Sequence, residues 1–227
     1  MPDVSGDSVT VQAIGLLFTA LGLSSVSGLR AYLPLLALAV GSNLKGSDGK
    51  PVVALSPEFH VLGSWPVIAL LVLLVIGEFF VDKVPVIDHI SDAVHTVIRP
   101  VSGAIIMAAV SNPISDRSPW AAAVLGAVLA LTVHSAKAAT RPAVTATTAG
   151  IGNPIVSTGE DVIAVVFTLL ALLAPFVAVV LGLILLVAVL YLIRSGWRRL
   201  RGGGSARAAA VASSASSDSG TYEGPPL

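Results

Sequence analysis

EFFVDKVPVIDHISDAVHTVIRP, residues 78 to 100, sets Glu78, Asp82, Lys83, Asp88, His89, Asp92, His95 and Arg99 between two apolar runs, in a chain with only 11% charged residues. Ionisable groups beside lipid are expensive and tend to mark function. Pro85 can open a helix in its first turn, where a missing N–H costs little, so a helix is predicted from Val86 to Arg99. At about 100° per residue, Asp88, Asp92, His95 and Arg99 share an arc of roughly 60°. Val86, Ile87, Ile90, Val94, Val97 and Ile98 take up much of the remainder. Glu78 and Asp82, four apart, share a face if the preceding span stays helical that far.

Three readings of this stripe compete. It is an ion, proton or substrate path; or a surface helix lying in the headgroup region, apolar side down; or a set of internal ion pairs that only holds helices together. Interfacial helices are usually rich in Lys and Arg, whereas this stripe is mainly acidic with histidine.

Outward from the stripe, the 227 residues are 55% hydrophobic, above the roughly 45–50% of soluble domains. Mean hydropathy is +0.90. The fold class that follows is all-α: a polytopic integral membrane bundle with broken or half-length helices. Formal net charge is zero, so no bulk basicity points to nucleic acid. With no cysteine, disulfides, thiolate metal sites and cysteine nucleophiles are excluded, and Asp, Glu and His are the strong metal ligands left. The acidic start, MPDVSGDSVT, lacks the basic region of a secretory signal, so the first apolar run is taken as part of the mature protein.

Residues 1–10 form a polar N-terminus, 11–196 one transmembrane domain, and 197–227 a basic, then disordered, tail. Val11 to Val26 is a spanning candidate, a little short of the ~20 residues that cross a bilayer. A break is expected between Ser27 and Pro34, with Arg30 either snorkelling or turned inward to a carboxylate. Residues 41–64 read as a loop with a short apolar re-entry at Val52 to Leu55, and His60 there as solvated. Trp65 opens a clear span. Pro100 restarts an apolar helix that is too short to cross alone unless Val86 to Ile98 continues it, Ser111 to Pro119 is turn chemistry, and Trp120 starts another span. His134, Lys137 and Arg141 share one face if that helix persists, but Pro142 predicts a break at Arg141. The run from Thr145 to Pro154 is either small-residue helix packing or a broken ligand-holding segment. Val162 to Ile193 carries no charge and would make a helix of about 48 Å against a core of about 30 Å, so the run is either a hairpin near Pro175 or one long, tilted, kinked helix, and two segments are the favoured reading. Trp197, Arg198, Arg199 and Arg201 place the tail in the cytoplasm.

Gly15 to Arg30 lies on Gly126 to Arg141 without a gap, and Val67 to Ala69 resembles Val162 to Ala164. This suggests a two-fold repeat of 11–110 on 119–194, in which each copy runs into an Arg-bearing break and one copy carries the chemistry. Chance identity in apolar sequence is the rival reading.

SGLRAYLP, the 78–100 stretch and HSAKAATRPAVTATTAGIGNPIVSTGED together resemble the bacterial membrane family catalogued as domain of unknown function 4126, over roughly residues 11 to 190. The resemblance implies a polytopic membrane protein and supplies no activity.

The leading functional expectation is a small transporter or channel for an ion or small polar solute in the bacterial cytoplasmic membrane. Its pathway residues are Arg30, Glu78, Asp82, Asp88, Asp92, His95, Arg99, His134, Lys137 and Arg141. Asp88, Asp92 and His95 are weak candidates for a divalent cation, since carboxylate and imidazole on one helical face supply donors but no third well-spaced ligand set. The alternative is a non-catalytic scaffold or assembly factor whose charges are structural ion pairs. Homo-oligomerisation is left open. No hydrolase, zinc-protease, P-loop or Rossmann pattern stands on suitable elements, so an enzyme has the least support.

Overall fold

The computed structural model describes residues 4–46, 49–81, 85–148, 151–184, 187–188, 191 and 194–195, with backbone alone at 4–9, 85–93, 141–143, 145 and 153. Asp82, Lys83 and the basic cluster and tail from Trp197 lie outside the described residues. The unit Val187–Leu227 contributes helical backbone at its few described positions.

The unit Met1–Leu186 is a bundle of α1 (Val4–Val26), α2 (Tyr32–Gly41), α3 (Trp65–Val81), α4 (Pro85–Ala109), α5 (Pro119–Thr148), α6 (Asn153–Leu173) and α7 (Pro175–Ile184). Among the described residues there is no strand, only two isolated bridges at Lys45–Pro51 and Leu55–Val110. Pro119–Thr140 and Pro154–Leu173 are long and apolar enough to cross a membrane. A third span arises if the 3-10 turn Pro57–Gly63 and α3, bent by 62°, count as one. Thr10–Val26, Tyr32–Gly41, Val94–Ala109 and Pro175–Ile184 are shorter apolar helices. Large apolar side chains such as Leu73, Phe80, Val124 and Leu173 face outward, as lipid-facing surfaces require. This is a membrane helical bundle with broken and half-length elements.

Lipid offers helices no hydrophobic reason to associate, so they approach through small residues. Helices α4 and α5 cross at Gly103 and Gly126, where a Cβ on Gly126 would stand 2.1 Å from the Gly103 carbonyl oxygen. The end of α1 enters the same crossing. Ser24 Oγ donates to the Gly103 carbonyl at 3.1 Å, and Gly28 lies against the α5 backbone at Ala130 and His134. Extended residues 52–56 fold back over the end of α4, with Ser56 N–H donating to Ala109 O and Ser111 N–H to Ala54 O, which buries Val53. The apolar segment of the predicted loop thus packs against the bundle.

The expected break after Ser27 is also present: α1 ends at Val26 and α2 starts at Tyr32. The uncharged run divides at Ala174, whose φ of −144° and ψ of 65° leave the helix. The chain bends there, because Ala171 and Ala178 both approach Gly22 of α1, 2.9 and 3.9 Å from a Cβ built on it. A straight helix would hold residues seven apart about 10.5 Å from each other.

At Pro100 the continuous alternative is realised, since the helix does not restart there but runs through it from Pro85 to Ala109. The break expected at Arg141 is corrected, since α5 continues through Pro142 to Thr148. Bundled membrane helices tolerate proline because neighbouring helices, hydroxyl side chains and local adjustment satisfy the freed carbonyl. The two proposed copies consequently differ. Arg30 follows a break, whereas Arg141 stands on continuous helical backbone.

Candidate functional site

The break after α1 aims Arg30 into the bundle, where it is fully buried. A guanidinium is always charged and loses several kcal/mol of solvation on burial, so it must find an anion. That anion is Asp161 of α6, which Arg30 Nη2 hydrogen-bonds. Nη2 also reaches Ser157 Oγ at 3.5 Å, Nη1 donates to the Glu78 carbonyl at 3.4 Å, and the guanidinium carbon lies 5.2 Å from the Phe79 ring centroid. Of the two outcomes open to Arg30 in the sequence, the inward one is realised.

Glu78, at 4% exposure, has a different task. Its carboxylate accepts from the backbone N–H groups of Ala31, at 3.0 Å, and Tyr32, at 3.3 Å. These amides open α2, where orphan donors and the helix dipole favour a negative charge. No local side chain caps α2, so its cap comes from α3. Glu78 Oε1 also stands 3.5 Å from Nε2 of the buried His95, one turn before Arg99 on α4.

Arg99, fully buried, holds His134 of α5: its Nη1 lies 2.7 Å from His134 Nδ1. A guanidinium only donates, so Nδ1 accepts, and the ring proton belongs on Nε2, which stands 3.2 Å from Thr96 Oγ1. Ser27 Oγ reaches the Arg99 carbonyl at 3.4 Å, which joins the break to this turn of α4. One turn beyond His134, Lys137 pairs with Glu160 of α6 at 2.8 Å.

Arg30, Glu78, His95, Arg99, His134, Lys137, Glu160 and Asp161 thus meet from the α1–α2 break and four helices. Six of these eight are among the expected pathway residues. On α4, His95 and Arg99 point inward while Val94, Val97 and Val101 are exposed, so for these two the surface-helix reading is corrected. Asp88, Asp92 and Arg141 stand on helical backbone with side chains outside the described residues, and Asp82 lies outside them altogether. Among the described residues no group of three acidic or histidine side chains is arranged to hold a metal ion. His60 is exposed and its Nε2 lies 3.2 Å from the Leu55 carbonyl, which agrees with its reading as a loop histidine.

Glu160 and Asp161 are the residues that sequence reasoning missed. They are the last charges before the long uncharged run. Asp161 also belongs to a buried helical stripe of Ser157, Asp161, Ala164, Thr168 and Ala171, a spacing that could have identified it. Through them both halves of the chain contribute acid, base and imidazole to the cluster.

No curated protein and no solved structure matches the chain. The model of the family described as domain of unknown function, DUF4126, matches residues 17–195, which include all eight side chains. With most of its length inside that match, the chain belongs to the DUF4126 family.

Proposed function

We propose that the protein is a small membrane transporter or channel for an ion or small polar solute, and that the buried charged centre is its working part. The supporting observation is the convergence itself. Dissolving charge in a bundle of this size is costly, and apolar side chains would pack the same space more cheaply. The centre also mixes acids with imidazoles, the pairing that exchanges protons near neutral pH. We assign the chain to the bacterial cytoplasmic membrane with its C-terminal tail in the cytoplasm, on the strength of the basic cluster after Trp197. The lipid bilayer is its standing partner, self-association is part of the proposal, and the two-fold repeat remains a reading of the sequence.

The test is flux into proteoliposomes of the full chain, with sodium, potassium, chloride and a neutral polyol as probes. We expect at least one probe to cross more than tenfold faster than in empty vesicles and to slow at least tenfold in Asp161→Asn or Glu160→Gln protein that remains monodisperse. No flux above empty vesicles for any probe, protons included, would remove the proposal.

A second reading, a non-transporting scaffold, is favoured by one observation. Each acid of the centre already has cationic or amide partners, and two cavities of about 400 and 320 Å³ are lined by other residues, around His60 and around Leu71 respectively. Under that reading the same variants lose stability and none changes flux.

A further inference from the structure

We propose that Glu78 and His95 form a single proton-binding site, that its proton is the ion the charged centre moves or uses as a coupling ion, and that the start of α2 reads its occupancy. The site stands on geometry, while its use in transport rests on the reading above.

The Glu78 carboxylate is shared between two kinds of partner. Ala31 and Tyr32 offer it fixed N–H donors, and His95 offers a nitrogen that can gain or lose a proton. At 3.5 Å, Oε1 and Nε2 stand just beyond the range of direct proton transfer, so a shift of a few tenths of an ångström closes the pair. Without the extra proton, a carboxylate faces a neutral imidazole and the pair carries one negative charge. One proton from water, held on Nε2 or Oε1, brings the pair to zero. The proton leaves to water on the other side, and no bond between heavy atoms changes.

Loading the pair alters what α2 feels, because the anion that its first amides and dipole attract has been neutralised. The other groups facing Glu78 are fixed by different contacts. Arg30, from the break, is held by Asp161 of α6 and donates to the Glu78 backbone carbonyl. Tyr32 of α2 sets its ring against His95, with centroids 6.1 Å apart. Beyond Tyr32 lies the cavity of about 320 Å³, walled by leucines, valines and isoleucines, which is a poor route for a proton. The turns of α4 before His95 carry Asp92 and Asp88 at three and seven residues' distance, and this is the direction from which we expect the proton to arrive.

The experiment has two arms on the full chain. In detergent, infrared spectra are titrated with pH and the protonated-carboxyl band that disappears in Glu78→Gln is assigned to Glu78. We expect the midpoint of that band to move by about one pH unit or more in His95→Gln, since groups sharing a proton titrate as a pair. Glu78→Asp serves if Glu78→Gln does not fold. An unmoved midpoint, or no Glu78 band at any pH, overturns the proposal. In proteoliposomes loaded with a pH-sensitive dye, a potassium diffusion potential should drive proton flux that falls at least tenfold in Glu78→Gln. Coupled titration without any flux leaves the proton site standing and sinks the transport reading. Solute flux in a protein whose Glu78 and His95 titrate independently does the reverse.

Discussion

The Asp161 carboxylate on α6 is hydrogen-bonded by Arg30, 131 residues earlier in the chain, and so ties the α1–α2 break to a helix from the second half. Both side chains are buried, which makes the pair sensitive to losing one member. Asp161→Asn strands a guanidinium in the bundle and should cost about 3–5 kcal/mol, whereas removing both charges relieves the cost of burying them. We therefore expect Arg30→Met with Asp161→Leu to recover at least half of the loss of the Asp161→Asn variant. Thermal unfolding of the full chain in detergent measures this. A double variant as unstable as the single one would show that the pair is not the source of the loss.

Packing at the crossing of α4 and α5 gives an independent test, because it sets where Arg99 and His134 stand. A methyl group on Gly126 would lie 2.1 Å from the Gly103 carbonyl oxygen and 2.6 Å from Met107 Cβ. Gly126→Ala must push the helices apart and should destabilise by about 1–3 kcal/mol. Gly15 and Gly159 are helical with nothing within 4 Å of a built Cβ. Alanine there should be neutral or stabilising by up to ~1 kcal/mol. Equal effects at Gly126 and Gly15 in a thermal scan would contradict the crossing.

How far these features were legible follows from what a residue costs in its own neighbourhood. Arg30, Glu78, His95, Arg99, His134 and Lys137 stand out because each interrupts an apolar run, and a charge near lipid needs a reason wherever its partner is. The partners were hidden. No local pattern links Arg30 to Asp161 or Lys137 to Glu160, because the pairing depends on how α6 docks, through the approach of Gly22 and Ala171. Pro142 was misread for a related reason. Proline breaks a helix where water rewards the break, and α4 and α5 lie mostly against each other or lipid.

His134 provides a spectroscopic prediction. With Arg99 Nη1 donating to Nδ1 at 2.7 Å, the neutral ring must carry its proton on Nε2, beside Thr96 Oγ1. Nitrogen-15 NMR of the imidazoles, with His134→Gln to assign the signal, should report an unprotonated Nδ1 and a protonated Nε2. The opposite tautomer would mean that Arg99 does not hold this ring. Thr96→Val should leave the tautomer unchanged, because the guanidinium alone dictates it.

The cap on α2 allows structure and chemistry at Glu78 to be separated. Alanine at this position removes both acceptors of the Ala31 and Tyr32 amides, while glutamine keeps one carbonyl oxygen in place of the carboxylate. Losing a helix cap costs about 0.5–2 kcal/mol, so amide exchange across residues 31–41 should quicken by roughly 2- to 30-fold in Glu78→Ala. Glu78→Gln should fall between that variant and the unaltered chain. Proton flux, by contrast, should be absent in both, because an amide neither accepts nor releases the proton that a carboxylate exchanges with His95. If flux instead declines in step with α2 opening, with glutamine intermediate, Glu78 acts through the shape of the break and not through its proton. Exchange mass spectrometry and dye-reported flux on the same three proteins decide between these orders, because capping ranks the variants in three steps and proton chemistry in two.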